Sequence, residues 1–378
     1  MMKSKQTIAV LIILIFLASC AEEDKSVLPV YDLIDLSGPE KVSLSTVCDE
    51  IEYIPLETGE EVLGNVRGVK YAGGRYAVRS GSSISVFERD GKENYVIDKQ
   101  GKGPDEYLNG SIFDYDGAKN EVLVYDSGHD RIISYNEKGE IVREIKKVSL
   151  VKAFKLLDDG NIFISTASHG GDSEFSQVII NPGGDTLARV ENKFKYEPTI
   201  MIVFANECVT YLKGGRLFYH DLMDDTIFCI DKYLEIYPHT VLNTGDLRFT
   251  TEKRANISNT GRLDAIFVND IIETEDHFFV ECKGKGHLVV KDAGETIVLE
   301  EGKLQNDLDG GMPFYPDLLV DEKYLVQVVD AFEFRLWLES DHFKNFSDDP
   351  EKKEEFRALA EKLTENDNPV IVVARLKK

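Results

Sequence analysis

The densest mixture of chemically useful groups in this chain is the run Gly101-Lys102-Gly103-Pro104-Asp105-Glu106-Tyr107. Two glycines free the backbone and Pro104 fixes one φ, while Lys102 offers a cation, Asp105 and Glu106 two carboxylates, and Tyr107 an aromatic ring. Such a set suits binding. Tyr107 can stack on a sugar ring while Asp105 and Glu106 accept hydrogen bonds from hydroxyls. The competing use is structural, as a crossover between sheets with Tyr107 wedged into the core. His129 and Arg131, in the turn Asp126-Ser127-Gly128-His129-Asp130-Arg131, pose the same choice between a ligand and neighbouring carboxylates or backbone.

Signatures of catalysis are missing. The seven histidines, at 129, 169, 220, 239, 277, 287 and 342, include no pair at metal-ligand spacing and no HExxH. Asp114-Tyr115-Asp116-Gly117 opens like a calcium loop but lacks the third acidic position and the distal Glu, so a turn between strands explains it better. Gly284-Lys285-Gly286 and Gly101-Lys102-Gly103 are too short for a phosphate cradle, and no Gly-x-Ser-x-Gly elbow occurs. No cofactor and no resident metal are expected. A divalent cation enters only under the alternative of a site assembled from separate strands.

The 378 residues carry 44 Lys and Arg against 68 Asp and Glu, a formal charge of -24, and are 42% hydrophobic. A large core is therefore available, while a phosphate-neutralising, nucleic-acid-binding surface is excluded as a general property. Residues 1–19 read as a signal peptide: Lys3 and Lys5 precede the apolar run Ile8 to Leu17, which is too short to span a bilayer. Leu17-Ala18-Ser19-Cys20 resembles the bacterial lipobox, which implies cleavage before Cys20 and acylation of its thiol with diacylglycerol and palmitate. The expectation is an outer-membrane lipoprotein of the cell envelope, periplasmic or surface-exposed, with residues 20–49 as lipidated N-terminus and tether. Cys48, Cys208, Cys229 and Cys282 form no framework of spacings, and their disulfide state stays open.

From about residue 50 the chain consists of short strand-like runs separated by Gly, Asp and Asn turns. One class of turn recurs at Gly73, Lys119, Asp159, Gly214, Asp276 and Glu322, at intervals of 40 to 62 residues. A second follows at Asp90-Gly91, Lys138-Gly139, Gly183-Gly184, Asp231-Lys232 and Ala293-Gly294. Six units of four strands, many apolar on both faces, predict an all-β fold: a six-bladed β-propeller of antiparallel blades over residues 50–378. The runs Ile51 to Leu56 and Pro369 to Leu376 are expected to close the ring within one blade. One late helix is predicted after Asp349, with Pro350 in its first turn and an apolar stripe of Phe356, Leu359, Ala360 and Leu363.

The segment YDSGHDRIISYNEKGEIVREI resembles the NHL repeat of six-bladed propellers. The lipobox, the early IEYIPLET strand, the GKGPDEY loop, the late helix and the DNPVIVVARLKK end together are similar to six-bladed propeller lipoproteins of Gram-negative gut bacteria. That resemblance implies fold and location and assigns no activity. The reading favours a membrane-anchored binding module for a glycan, peptide or partner protein, through Lys102, Asp105, Glu106, Tyr107, His129 and Arg131. The alternative is a metal-assisted enzyme similar to six-bladed lactonases or polysaccharide lyases.

Overall fold

The computed structural model describes residues 28–59, 62–167, 170–200, 202–204, 206–257 and 263–378. Its strands form six sheets, one for each predicted unit. Blades one to five span residues 66–97, 113–146, 151–191, 208–243 and 268–298, and in each the chain passes hairpin by hairpin from the inner to the outer strand. The six turns of the first predicted class join first and second strands, and the five of the second class join third and fourth. Inner strands of neighbouring blades touch around the whole circle, blade six meeting blade one.

Each blade buries both faces, and six apolar clusters result, one at every junction. Between blades one and two, Ala77 and Val86 meet Tyr115, Val124 and Ile133. Leu123, next to Val124 in sequence but on the opposite face of the strand, packs instead with Ile162 and Ile164 of blade three. Phe163 then joins Leu217 and Tyr219 of blade four, and Phe218 joins Phe278 and Val280 of blade five. Phe279 joins Leu325 and Val372 of blade six, whose Ile371 and Val373 return to Val78 and Phe87 of blade one. Consecutive residues thus serve alternate neighbours all round the ring.

Both ends of the fold build the closing blade. Leu318–Val320, Tyr324–Val329 and Val370–Leu376 supply its three inner strands and Cys48–Pro55 its outer one, with Ile51 opposite Ala374 and Tyr53 opposite Val372. The structure departs from the sequence reading in its helices, among them a short one at Thr251–Ala255, and in the stretch before residue 50. Three late helices, not one, lie between the second and third strands of blade six: Ala331–Trp337, Asp341–Asn345 and Pro350–Lys362. The last is the predicted helix, its Asp349 side chain accepting from Lys352 N at 3.0 Å, while the first two are too short to show a helical period. Part of the stretch assigned to a tether is also ordered against the body. Val30–Asp32 adds a parallel fifth strand to the outer edge of blade four, and Glu40 and Ser43 bridge to Leu299 and Gln305 beyond blade five. The open cysteine question is answered as well. The four described cysteines are buried free thiols, Cys208 and Cys229 being separated by the intervening strand Arg216–Asp221.

One ionic lock joins blades four and five. The Glu273 carboxylate, its side chain 1% exposed, accepts from Lys291 Nζ at 2.7 Å, Lys213 Nζ at 2.8 Å and Tyr211 OH at 2.6 Å, with His239 Nε2 at 3.1 Å. Burial pushes this carboxyl up, but the His239 hydrogen bond and the lysine charges outweigh it and hold the group well below the ordinary glutamate value. A carboxyl depressed in the fold contributes stability above its unfolded pKa, about 4.3, and loses that contribution as pH falls towards the folded value. Glu273→Gln strands two lysines and is expected to cost about 3 kcal/mol in urea denaturation at pH 7. Wild-type stability should decline below about pH 5, and the variant should show a shallower decline over the same range.

Candidate functional site

Strand direction divides the ring into two unlike faces. Turns between first and second strands, and between third and fourth, lie on one face and are tight. The inter-blade crossovers and the loops between second and third strands lie on the other, and these include all the long insertions: 98–112, 192–207, 244–267, 299–317 and 330–369. Closeness on the tight face is demanding. A Cβ added at Gly117 would sit 2.3 Å from the Ala72 carbonyl carbon and 2.4 Å from Gly73 N. Asp116 Oδ1 accepts from Ala118 N and Lys119 N there, so the calcium-like segment is a strand end and turn.

The long-loop face opens into an axial cavity of about 1290 Å³, lined by inner strands of blades one to five and, on the side of blade six, by Asp317 and Gln327. Its charges are unevenly distributed. Arg67, Lys70 and Arg79 come from blade one, Asp130 and Lys152 lie on the side of blades two and three, and Asp270 and Glu281 come from blade five; Asp317, Asp330 and Glu333 belong to segments of blade six, with Lys303 the one lysine among these last carboxylates. Several charges in or beside it are already used: Lys152, in the lining, donates to Phe204 O at 2.7 Å, and Lys155, outside the lining, pairs with Asp114 at 3.1 Å. Arg79 donates to Gly81 O and Arg67 O, at 2.9 and 3.1 Å. Lys70 has no hydrogen bond or ion pair among the described residues, lying only near the Phe113 ring, at 5.9 Å. Among the described residues Asp270 accepts only from its neighbour Ile271 N, at 2.9 Å, and Asp317 only from Val328 N, at 2.7 Å.

The surroundings move these groups in opposite directions. Burial, then repulsion from Lys155, lowers the Lys70 ammonium below the ordinary lysine value. Enclosure, with Asp317 and Glu281 adding like charge, raises the Asp270 carboxyl to about 6. Asp317 is open to channel water but walled by protein on most sides, and this raises it to about 6 as well. On the rim, Leu150 is 51% and Val203 57% exposed, both lining the cavity. Among the described residues, no three His, Cys, Asp or Glu side chains converge as metal ligands.

The sequence-predicted residues lie beside this cavity rather than in it. Tyr107 is fully buried, edge-on to Tyr135 at 6.0 Å, its hydroxyl donating to Ser82 O at 2.6 Å. It presents no face to a sugar. Arg131 grips the same loop, donating to Glu106 O at 2.7 Å, Pro104 O at 3.2 Å and Glu144 Oε1 at 2.8 Å. Its Nε donates to the buried Asp126, 3.0 Å away, which His129 Nδ1 also meets at 2.7 Å. Burial pushes the Asp126 carboxyl up, and hydrogen bonds from His129, Leu108 N and Arg131 carry it below the ordinary value overall. Glu106 turns back to accept from Gly103 N at 2.6 Å. Lys102, Asp105 and His129 remain exposed, and the cavity wall takes up the chain only from Asn109, Ser111 and Ile112. Cys20 and His169 lie outside the described residues.

A family model described as a domain of unknown function, DUF4934, matches residues 28–375, from the strap on blade four to the last strand of blade six. The chain belongs to the DUF4934 family. Among solved structures it is similar to a protein of Bacteroides fragilis assigned as exported, with 20% identity, TM-score 0.68, and coverage of 92% of this chain and 100% of that one. A DUF4221-family protein from Bacteroides vulgatus has 12% identity and TM-score 0.49, covering 88% and 97%. A catalytically inactive variant of virginiamycin B lyase from Staphylococcus aureus, solved with quinupristin, has 15% identity and TM-score 0.41, covering 67% and 89%. The first likeness bears out the fold for this DUF4934 member; the other two are too distant to carry an argument. No curated protein matches the sequence.

The clamp yields a graded test. Tyr107→Phe should cost about 1 kcal/mol, one hydrogen bond, whereas Asp126→Ala, which takes the buried partner from a guanidinium, should cost about 3 kcal/mol or more. Thermal denaturation checks the order, and limited proteolysis should find the 101–107 loop more readily cut only in the Asp126 variant.

Proposed function

We propose that this DUF4934 protein is a lipid-anchored envelope propeller whose long-loop face binds a glycan, peptide or partner protein at the mouth of the axial cavity. The observation that carries the reading is the cavity itself, where Lys70, Asp270 and Asp317 stand without ionic partners among the described residues and Leu150 and Val203 are exposed at the rim. Burying unpaired charge is costly, so a fold that keeps such groups gains most when something else completes them.

The anchor and the mouth fit one arrangement. Val30–Asp32 runs parallel to the outer strand of blade four, so the chain enters the body from the tight-turn face. An acylated Cys20 would stand only eight residues before residue 28, a reach of about 26 to 29 Å when extended. The tight-turn face then looks towards the lipid and the cavity looks away from it. Binding at the mouth needs no metal in this reading.

Two substitutions separate anchor from site. Cys20→Ser should abolish incorporation of labelled palmitate and move the protein to the soluble fraction with its melting temperature unchanged. The double change Leu150→Asp with Val203→Asp should remove partners crosslinked from the intact envelope, again without loss of melting temperature. Crosslinks unaltered by the rim change would place binding on another surface and overturn the reading.

A further inference from the structure

Lys70 and Asp270 lie two blades apart, with blade six between them, and both line the axial cavity. Each is close enough to alter the other's proton affinity, yet they make no ion pair within 4.0 Å. The inner strand of blade six, Leu318–Val320, is the shortest of the six. Its shortness lets the cavity widen towards Gln327, Asp317 and Glu281. The result is a gap bordered by Lys70 and Arg67 on one side and, on the other, by Asp270, Glu281 and Asp317, which outnumber the one lysine beside them, Lys303.

A neutral ligand lying there would exclude water from both charges and pair neither. A purely anionic ligand would satisfy Lys70 and Arg67 but face Asp270, Asp317 and Glu281; a purely cationic one would meet the reverse conflict. Only a ligand carrying both signs relieves both walls. Because Asp270 lacks a cationic partner and Lys70 an anionic one, neither has to surrender a protein ion pair in order to bind. Above them, Leu150 and Val203 provide apolar surface on the blade three and blade four side of the mouth.

We propose that the axial cavity is a site for a short peptide with free termini and apolar side chains, its carboxylate on Lys70, with Arg67 near by, and its ammonium held by Asp270 and Asp317. The inference rests on the mouth being the binding face and adds the class of ligand. It requires no covalent step. Asp270 and Asp317 take the peptide amine through charge-assisted hydrogen bonds, and the rim covers its side chains.

The test uses the purified full-length chain and dipeptides of leucine, valine and phenylalanine: two mixtures for the main comparison, one unblocked and one blocked at both ends, and singly blocked versions, only N-acetylated or only C-amidated, to separate the two ends. Saturation-transfer NMR followed by calorimetry should show binding of the unblocked mixture, weakened roughly tenfold or more by blocking either end. Lys70→Met should lose discrimination against C-amidation and Asp270→Asn discrimination against N-acetylation, each leaving the other in place. The comparison of blocked with unblocked ligands on the wild-type chain keeps the test valid if a variant fails to fold. Equal binding of the two mixtures, or binding of neither, overturns the proposal. If rim-dependent partners are found while neither mixture binds, the ligand class alone is overturned; if partners ignore the rim as well, the binding face falls with it.

Discussion

The constraint on which this molecule depends is that no blade can cover itself. A four-stranded sheet with apolar residues on both faces is insoluble alone, and the chain solves this by giving each blade two neighbours. Leu123 and Val124 show the solution at the scale of one peptide bond, since they serve opposite junctions. At about 1.5 to 3 kcal/mol for a fully buried large apolar side chain, a junction of half a dozen such residues outweighs any single polar contact in the structure. A circle has no free blade edge only if it closes, so the pairing of Cys48–Pro55 with Val370–Leu376 supports every junction and not merely its own.

That arrangement frees other parts from structural duty. Inner strands touch their neighbours around the circle, but their channel-facing side chains need not pack, so charges are tolerated there. The long insertions gather on one face because tight hairpins are required on the other, where Gly117 lies against the Ala72–Gly73 backbone. Within the loop face, Arg131 and Asp126 pair with each other and hold the crossover through Pro104 O, Glu106 O and Leu108 N. The crossover is therefore a rigid shoulder of the mouth, in keeping with its buried Tyr107.

How much of this was legible follows from what each signal measures. Turn residues report backbone geometry locally, so the positions from Gly73 to Glu322 located the tight-face hairpins and the circular fold could be counted from them. Composition at a loop does not report where a ring points, and Tyr107 reads identically whether it faces a sugar or a core. The insertion between residues 330 and 369 was only partly legible, because Ala331–Trp337 and Asp341–Asn345 are too short for a period to stand out. Lys70, Asp270 and Asp317 belong to no familiar motif, so no spacing in the sequence singles them out. The available signal was different in kind: a charged residue inside, or at the start of, the innermost strand of a unit, where a fully packed strand would hold valine or isoleucine.

Strand Val268–Glu273 shows why that signal has meaning. It bears two carboxylates three positions apart, which a strand's alternation sends to opposite sides. Glu273 is surrounded by two lysines, a tyrosine and a histidine, and its acidity increases despite burial. Asp270 receives only a backbone N–H, and its affinity for a proton rises. One strand thus produces opposite results, because one group has been supplied with partners by the fold and the other has not. Enclosure alone would have raised both. The difference isolates the partners as the cause, and it distinguishes a carboxylate that holds two blades together from one that is left for something the protein does not contain.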